Sequence, residues 1–277
     1  MPLRARAGLV LLATAALWVL ANAGIAAAAP PPAAYAEPAQ HVPQSPLTTS
    51  PAVDSSNWSG YFASSPQAFT AVQGEWVQPS VVCPKPLAWT VFWVGLDGWR
   101  DNTVEQAGTS ALCPENPTEP PRYFTWWEMY PTNSIQVAPL AVAPGQGVRA
   151  SVTYIPSTGL YTMTVLNKVT HRHFTQTATC AAGLDCQRST AEWIAERPTL
   201  LSTGQPTALA DWGALSYAAD KAGNTTRLTS TGKEIAVLKA ASTFSETPVD
   251  MVGNTGLLAS AGALTRNAFT DTWLAEE

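Results

Sequence analysis

Residues 92–110 read FWVGLDGWRDNTVEQAGTS: an apolar run, an Asp-Gly turn signal and a second run that alternates. Successive side chains of a strand point to opposite faces. Within Asn102–Ser110 one face therefore carries Val104, Gln106 and Gly108, and the other Thr103, Glu105 and Ala107. Period two on both sides of a turn specifies strands rather than helix. Gln106 is out of keeping with its face. The glycine beside it leaves room for a close approach, and a carboxamide buried there needs a partner. A plain solvent-facing strand glutamine is the other reading of this stretch.

Working outward, strands are expected around SNWSGYFA, AVQGEWVQP, WTVFWVGLDG, TVEQAGT, RYFTWWEMYP, GVRASVTYI, LYTMTVLNKVT, HFTQTAT, STAEWIAERP, WGALSYAA, EIAVLKA and NAFTDTWL. IPSTGLY is a hairpin connection with Ser157, Thr158 and Gly159 at its tip. LLASAGALT is apolar enough for either a helical turn or an irregular segment over the core, and no segment holds a helical period. So many short strands in one chain predict an all-β domain, an antiparallel two-sheet β-sandwich.

Upstream of that domain, Arg4 and Arg6 precede the apolar GLVLLATAALWVLANAGI and an Ala-x-Ala site near Ala29, so residues 1–29 read as a signal peptide. Small residues at the site and no basic stop signal favour cleavage over anchoring. The protein is expected to be secreted, with no membrane attachment afterwards. Residues 30–52, PPPAAYAEPAQHVPQSPLTTSPA, cannot bury enough apolar surface to offset their ordering entropy and read as a flexible tail or pro-segment. His41 within it would gain charge on acidification and is a candidate trigger; an ordinary linker histidine is the alternative. Residues 53–277 suit one β-sandwich domain.

Fifteen Lys and Arg stand against twenty Asp and Glu, a net charge of −5; loss of Arg4 and Arg6 leaves thirteen against twenty, or −7. No basic footprint for nucleic acid exists. A poor supply of bases suits an acidic medium, where carboxylates lose charge and few bases gain any. Cys83, Cys113, Cys180 and Cys186 fit two disulfides in an exported chain. The expected pairing is Cys83 with Cys113 and Cys180 with Cys186, the latter closing CAAGLDC; two other pairings are allowed. Neither the cysteine spacing nor His171 and His173, read as neighbours on one strand face, suits a metal, and no cofactor is expected. A monomer is the default.

Serine-protease chemistry needs a positioned histidine, and only His41, His171 and His173 exist. Oxidised cysteines exclude thiol chemistry, and Asp-Thr-Gly, Asp-Ser-Gly and phosphate-cradling loops are absent. What remains is a carboxylate without histidine. Glu192 and Glu196 flank Trp193 and share a strand face with Ile194, which speaks against full solvation; Glu128 lies among aromatics in WWEMYP. A carboxyl beside indoles is desolvated and its proton affinity rises, one way to prepare an acid or base. Ten of the eleven tryptophans lie outside the leader, and Trp126 and Trp127 must point to opposite faces of one strand.

Seven blocks, NWSGY (57–61), VQGEWVQP (72–79), FWVGLDG (92–98), VEQAGT (104–109), WWEMYP (126–131), AEWIAERP (191–198) and LADWG (209–213), occur in that order. Together they closely resemble the glutamic peptidases (eqolisins), pepstatin-insensitive acid endopeptidases with a two-sheet, lectin-like (concanavalin A-type) β-sandwich, over residues 54–274. The resemblance implies a catalytic pair at Gln106 and Glu192, a supporting Trp93, and Trp126 with Glu128 lining a cleft for protein or peptide substrates. Asp97 is expected either to orient the Gln106 strand or to cap its own loop. Two departures are visible: Glu105 stands where the fungal members favour an apolar residue, and WEMYP replaces YEWYP. A glycoside hydrolase using Glu128 and Glu192, or a carbohydrate-binding module, are the rival readings of such a sandwich.

Overall fold

The computed structural model describes residues 36–43, 51–223, 245–265 and 267–277. The leader and the strand expected at EIAVLKA lie outside the described residues. Seventeen strands follow in order: β1 Ala36–Glu37, β2 Val53–Ser55, β3 Trp58–Ser64, β4 Ala71–Val77, β5 Trp89–Leu96, β6 Val104–Leu112, β7 Arg122–Tyr130, β8 Gln136–Val137, β9 Gly147–Ile155, β10 Leu160–Asn167, β11 Arg172–Thr179, β12 Thr190–Glu196, β13 Thr199–Leu200, β14 Ala214–Gly223, β15 Ser245–Gly253, β16 Gly256–Ala261 and β17 Phe269–Trp273. No helix occurs among the described residues. LLASAGALT, left open above, contributes most of β16. Short strands β1, β2, β8 and β13 were not expected, β1 lying in the stretch read as a flexible tail, and the longest unexpected strand is β15, whose Pro248 argues against a central position. At Pro248 the strand pairs only with β3, and its second neighbours begin at Val249 and Asp250, so the missing N–H breaks no second ladder.

The strands form two layers. A wide sheet runs β14–β17–β16–β15–β3–β12–β5–β6–β7–β8, and a narrow one runs β11–β10–β9–β4–β14. Strand β14 belongs to both: Ala214–Tyr217 pair with β17, then a register shift between Ala218 and Lys221 redirects the strand onto β4. Between the layers, Tyr61, Phe92, Val94, Met129 and Trp193 of the wide sheet meet Val72, Trp76, Val148, Tyr161 and Met163 of the narrow one. His171 is not a strand residue; it occupies the turn before β11 with φ +56°. Both expected disulfides, Cys83–Cys113 and Cys180–Cys186, are formed.

An antiparallel sheet on the surface of a sandwich ordinarily wets its outer face. This one does not. Every residue of β5, β6 and β12 is buried, and a second apolar cluster of Trp58, Phe62, Trp89, Trp93, Trp126 and Ile194 sits on the outer face.

Candidate active site

Directly opposed residues of neighbouring strands share a face, so pairing register locates the site. Phe62 of β3, Glu192 of β12, Gly95 of β5, Gln106 of β6 and Glu128 of β7 form one line across the wide sheet. The row two residues along contains Ile194, Trp93, Gly108 and Trp126. Ile194, Trp93 and Trp126 belong to the outer cluster, so the first row points outward too. Glu192 and Gln106 are thus separated by Gly95 alone, two strand spacings or roughly 9.6 Å between their Cα atoms.

The two glycines of these rows do different things. A Cβ on Gly95 would lie 2.8 Å from Cζ3 of Trp93, because the indole lies over that glycine. A Cβ on Gly108 would lie 2.0 Å from the Phe92 carbonyl oxygen and 2.8 Å from Cα of Trp93. The close approach expected at Gly108 is therefore made by the backbone of the neighbouring strand.

Gln106 is fully buried, which ends the solvent-facing reading. Its Nε2 donates to Oε2 of Glu128 at 2.8 Å, and its Oε1 has no partner among the described residues. Glu128, expected in the cleft lining, is thus turned onto Gln106. Neither carboxyl oxygen of Glu192 meets hydrogen-bond geometry with a described protein group. Burial pushes the Glu192 proton affinity well above the usual carboxylate range; the Thr190 hydroxyl offsets this in part, while the acids Asp97, Asp101 and Glu105 add to it.

Glu196, two positions along the same face, is the carboxyl that the expected site omits, although its alternation with Glu192 and Ile194 was visible. Trp93 Nε1 donates to its Oε2 at 2.8 Å, and the Ala39 N–H (2.8 Å) and Asn57 Nδ2 (3.4 Å) donate to its Oε1. Burial raises its proton affinity despite these donors. Trp93 thus spans from Glu196 to Gly95, edge-on to Trp58 at 4.9 Å between centroids. Trp126 is buried in the same outer cluster, its Nε1 donating to the Thr109 carbonyl at 3.0 Å, while Trp127 packs on the inter-sheet side.

Asp97 does neither of the things expected of it. Its carboxyl accepts the N–H groups of Arg188 (2.5 Å) and Ser189 (2.6 Å), which lead directly into β12. It therefore holds the Glu192 strand. Its own loop is tied by Asp101 Oδ1, which accepts from the Gly98 N–H at 2.9 Å. Burial first, and then Asp101, push the Asp97 carboxyl up to about 7, against the two N–H donors. Glu105, on the inner face beside Gln106 in the chain, is buried and raised by the same causes, with Arg188 opposing.

The peptidase A4 family profile matches residues 56–259. Among solved structures, scytalido-glutamic peptidase bound to a peptide-based transition-state analogue superposes with a TM-score of 0.64 at 18% identity, covering 79% of this chain and 98% of that one. SCP-B, a member of the eqolisin family in complex with the tripeptide Ala-Ile-His, gives 0.61 at 19% identity over 79% and 98%. Aspergilloglutamic peptidase from Aspergillus niger gives 0.53 at 23% identity over 68% and 99%. No curated protein sequence matches.

Proposed function

Because the chain belongs to the peptidase A4 family, we propose that it is a secreted acid endopeptidase in which Glu192 is the general base and Gln106 the oxyanion donor. The observation that carries this reading is the outward row Glu192–Gly95–Gln106, with a carboxyl and an amide oxygen on either side of a residue without a side chain, neither meeting hydrogen-bond geometry with a described group.

Amide hydrolysis needs a base for water, a donor for the developing oxyanion and a proton for the leaving nitrogen. Ionised Glu192 takes a proton from a water that attacks the scissile carbonyl carbon. The carbonyl oxygen becomes an oxyanion and receives an N–H of Gln106. As the C–N bond breaks, Glu192 returns the proton to the nitrogen, leaving an acid and an amine. Gln106 Oε1 is free to accept from the attacking water. The bond to Glu128 selects one flip of the amide, since only its NH2 end can donate to that carboxyl. A carboxamide also keeps a donor in place at every pH, whereas a second carboxylate opposite Glu192 would compete for its proton.

In the closed, buried state the neutral form of Glu192 is favoured, and a neutral carboxyl is no base. Catalysis therefore requires the outer face to open, so that water restores an ordinary glutamate proton affinity near 4.3. That sets activity at acid pH with an acidic limb from Glu192. The sequence carries no Asp-Thr-Gly or Asp-Ser-Gly motif, which predicts insensitivity to pepstatin.

A retaining glycosidase is disfavoured, because its carboxyls must stand about 5–5.5 Å apart. Glu128 and Glu192 are three strand spacings apart, roughly 14 Å at Cα, with the Gln106 amide between them.

The deciding experiment is digestion of denatured casein near pH 3, with pepstatin present, by protein freed of residues up to 52, alongside Glu192→Gln and Gln106→Ala. Cleavage by the parent is expected, with turnover reduced roughly 10²–10³-fold in Gln106→Ala and abolished in Glu192→Gln. Intact casein with the processed parent, or undiminished cleavage by either variant, overturns the proposal.

A further inference from the structure

Residues 38–43 come from the Pro/Ala-rich stretch, whose composition lacks the apolar surface to build a core. They nevertheless have defined contacts, because they dock on one already built. The contacts are almost entirely main-chain. The Ala39 N–H donates to Glu196 Oε1 at 2.8 Å, and Trp58 Nε1 donates to the Ala39 carbonyl at 3.0 Å. Asn57 straddles the next residues: its Nδ2 donates to the Gln40 carbonyl at 3.0 Å and its Oδ1 accepts the Val42 N–H at 2.9 Å. The His41 N–H donates to the Gly98 carbonyl at 3.1 Å, and the Ser56 N–H to the Val42 carbonyl at 2.9 Å. A groove that grips a chain by its peptide groups is indifferent to most of its side chains.

One side chain is gripped as well. The His41 ring stacks on Trp99 with 3.6 Å between centroids, and Trp99 in turn stacks on Phe62 at 4.2 Å. Phe62 is the residue paired with Glu192 across β3 and β12. The segment therefore abuts the end of the Glu192–Gly95–Gln106 row. Those residues are fully buried, so no substrate reaches them until something on this face moves.

We propose that residues 38–43 are an acid-released strap, a length of the chain's own N-terminal segment seated in a main-chain-binding groove beside Glu192 and expelled when His41 gains a proton. That the vacated groove then takes substrate rests on the peptidase reading; the docking and its release do not.

Protonation is the natural release because the seat buries the His41 ring among aromatic side chains. The ring faces Trp99 and Trp58 and bonds the main chain of Asp54, while its Nε2 has no partner among the described residues. Glu196, on β12, is occupied by the Ala39 N–H, and burial favours its neutral form. The cation of Arg197, next in the chain, is directed away: its Nε donates to the Ser56 carbonyl at 2.8 Å. Burial lowers the docked His41 to about 4 from 6.5. A group depressed by docking favours the docked form above its free value and opposes it below. Docking is therefore full above pH 6.5 and weakens by up to roughly 300-fold as the pH falls through 4.

The test uses the full exported chain carrying Glu192→Gln, so that no self-cleavage intervenes. Amide hydrogen exchange over residues 39–42, corrected for intrinsic rates, is measured at pH 7 and pH 4, and the His41 ring is titrated by NMR. The expected result is protection at pH 7 that falls on the order of 10²-fold at pH 4, with His41 titrating well below 6.5. His41→Phe keeps the stack without the charge and should stay protected at pH 4; Ala39→Pro removes the N–H donated to Glu196 and should lose protection at both. Unprotected amides at pH 7, or His41→Phe releasing like its parent, overturns the strap. Switching protection in this chain together with no casein cleavage by the active, processed protein would leave the strap standing and remove the peptidase reading.

Discussion

Asp271→Asn tests the reading that this fold is built for acid. Asp271, on β17, is fully buried; Ser59 Oγ donates to its Oδ1 at 2.8 Å, and Oδ2 has no partner among the described residues. Burial, opposed by the Ser59 donor and reinforced by the nearby charge of Asp250, pushes its carboxyl from 3.8 up to about 7. A carboxyl raised on folding stabilises the native state fully while it is protonated, below 3.8, and that contribution disappears as the pH rises through 7. The difference corresponds to about 4 kcal/mol at 1.36 kcal/mol per tenfold change in proton affinity. Asparagine keeps the shape and can still accept from Ser59, but it cannot ionise. Urea unfolding of parent and variant at pH 3.5 and 7.5 isolates the effect from the other raised carboxyls, Asp97, Glu105, Glu192 and Glu196, which both proteins share. Relative to the parent, the variant should gain about 4 kcal/mol between the two pH values. An equal stability difference at both would mean that folding leaves the proton affinity of Asp271 unchanged, and the reasoning fails.

Three further outcomes follow from the site. Glu128→Ala should lower kcat about tenfold with KM little changed, because the Gln106 amide loses the partner that sets its flip, while Glu128→Gln should restore most of it; steady-state kinetics at acid pH decide. Asp97→Asn can accept only one of the two N–H groups leading into β12, and the unmet donor should cost about 1–3 kcal/mol, seen as a lowered Tm by calorimetry together with a reduced kcat. Trp93→Phe takes a donor from buried Glu196 and should cost about 1–3 kcal/mol, with a thermal shift of about 2–4 °C per kcal/mol for a chain of this size.

The strands were legible because alternation is local: the register of polar and apolar residues through Val104–Leu112 can be read without knowing what lies beside it. Gln106 stood out for the same reason. What could not be read was adjacency. The row from Phe62 to Glu128 depends on four pairings, two of which, β3 with β12 and β12 with β5, join strands distant in the chain, and only the register of β6 against β7 turns Glu128 from a cleft residue into the partner of Gln106. Asp97 misled because a turn aspartate looks alike whether it caps its own loop or reaches Arg188 and Ser189, some ninety residues on. β15 was hidden by Pro248, tolerated because one edge of the strand is unpaired there. The seat for residues 38–43 lies wholly on other elements, Asn57, Trp58, Gly98 and Glu196, so nothing within the proline-rich stretch itself could announce it.

Strand β14, shared by both layers, has a mechanical consequence. Its first half is a rung of the wide sheet and its second half a rung of the narrow one, so along that margin the layers are joined by continuous hydrogen-bonded backbone as well as by side-chain packing. Neither can slide over the other or peel away without tearing one of those ladders. The molecule is hinged like a bound book at its spine, and whatever loosening lets a polypeptide in must take place on the cover, leaving the pages pressed together.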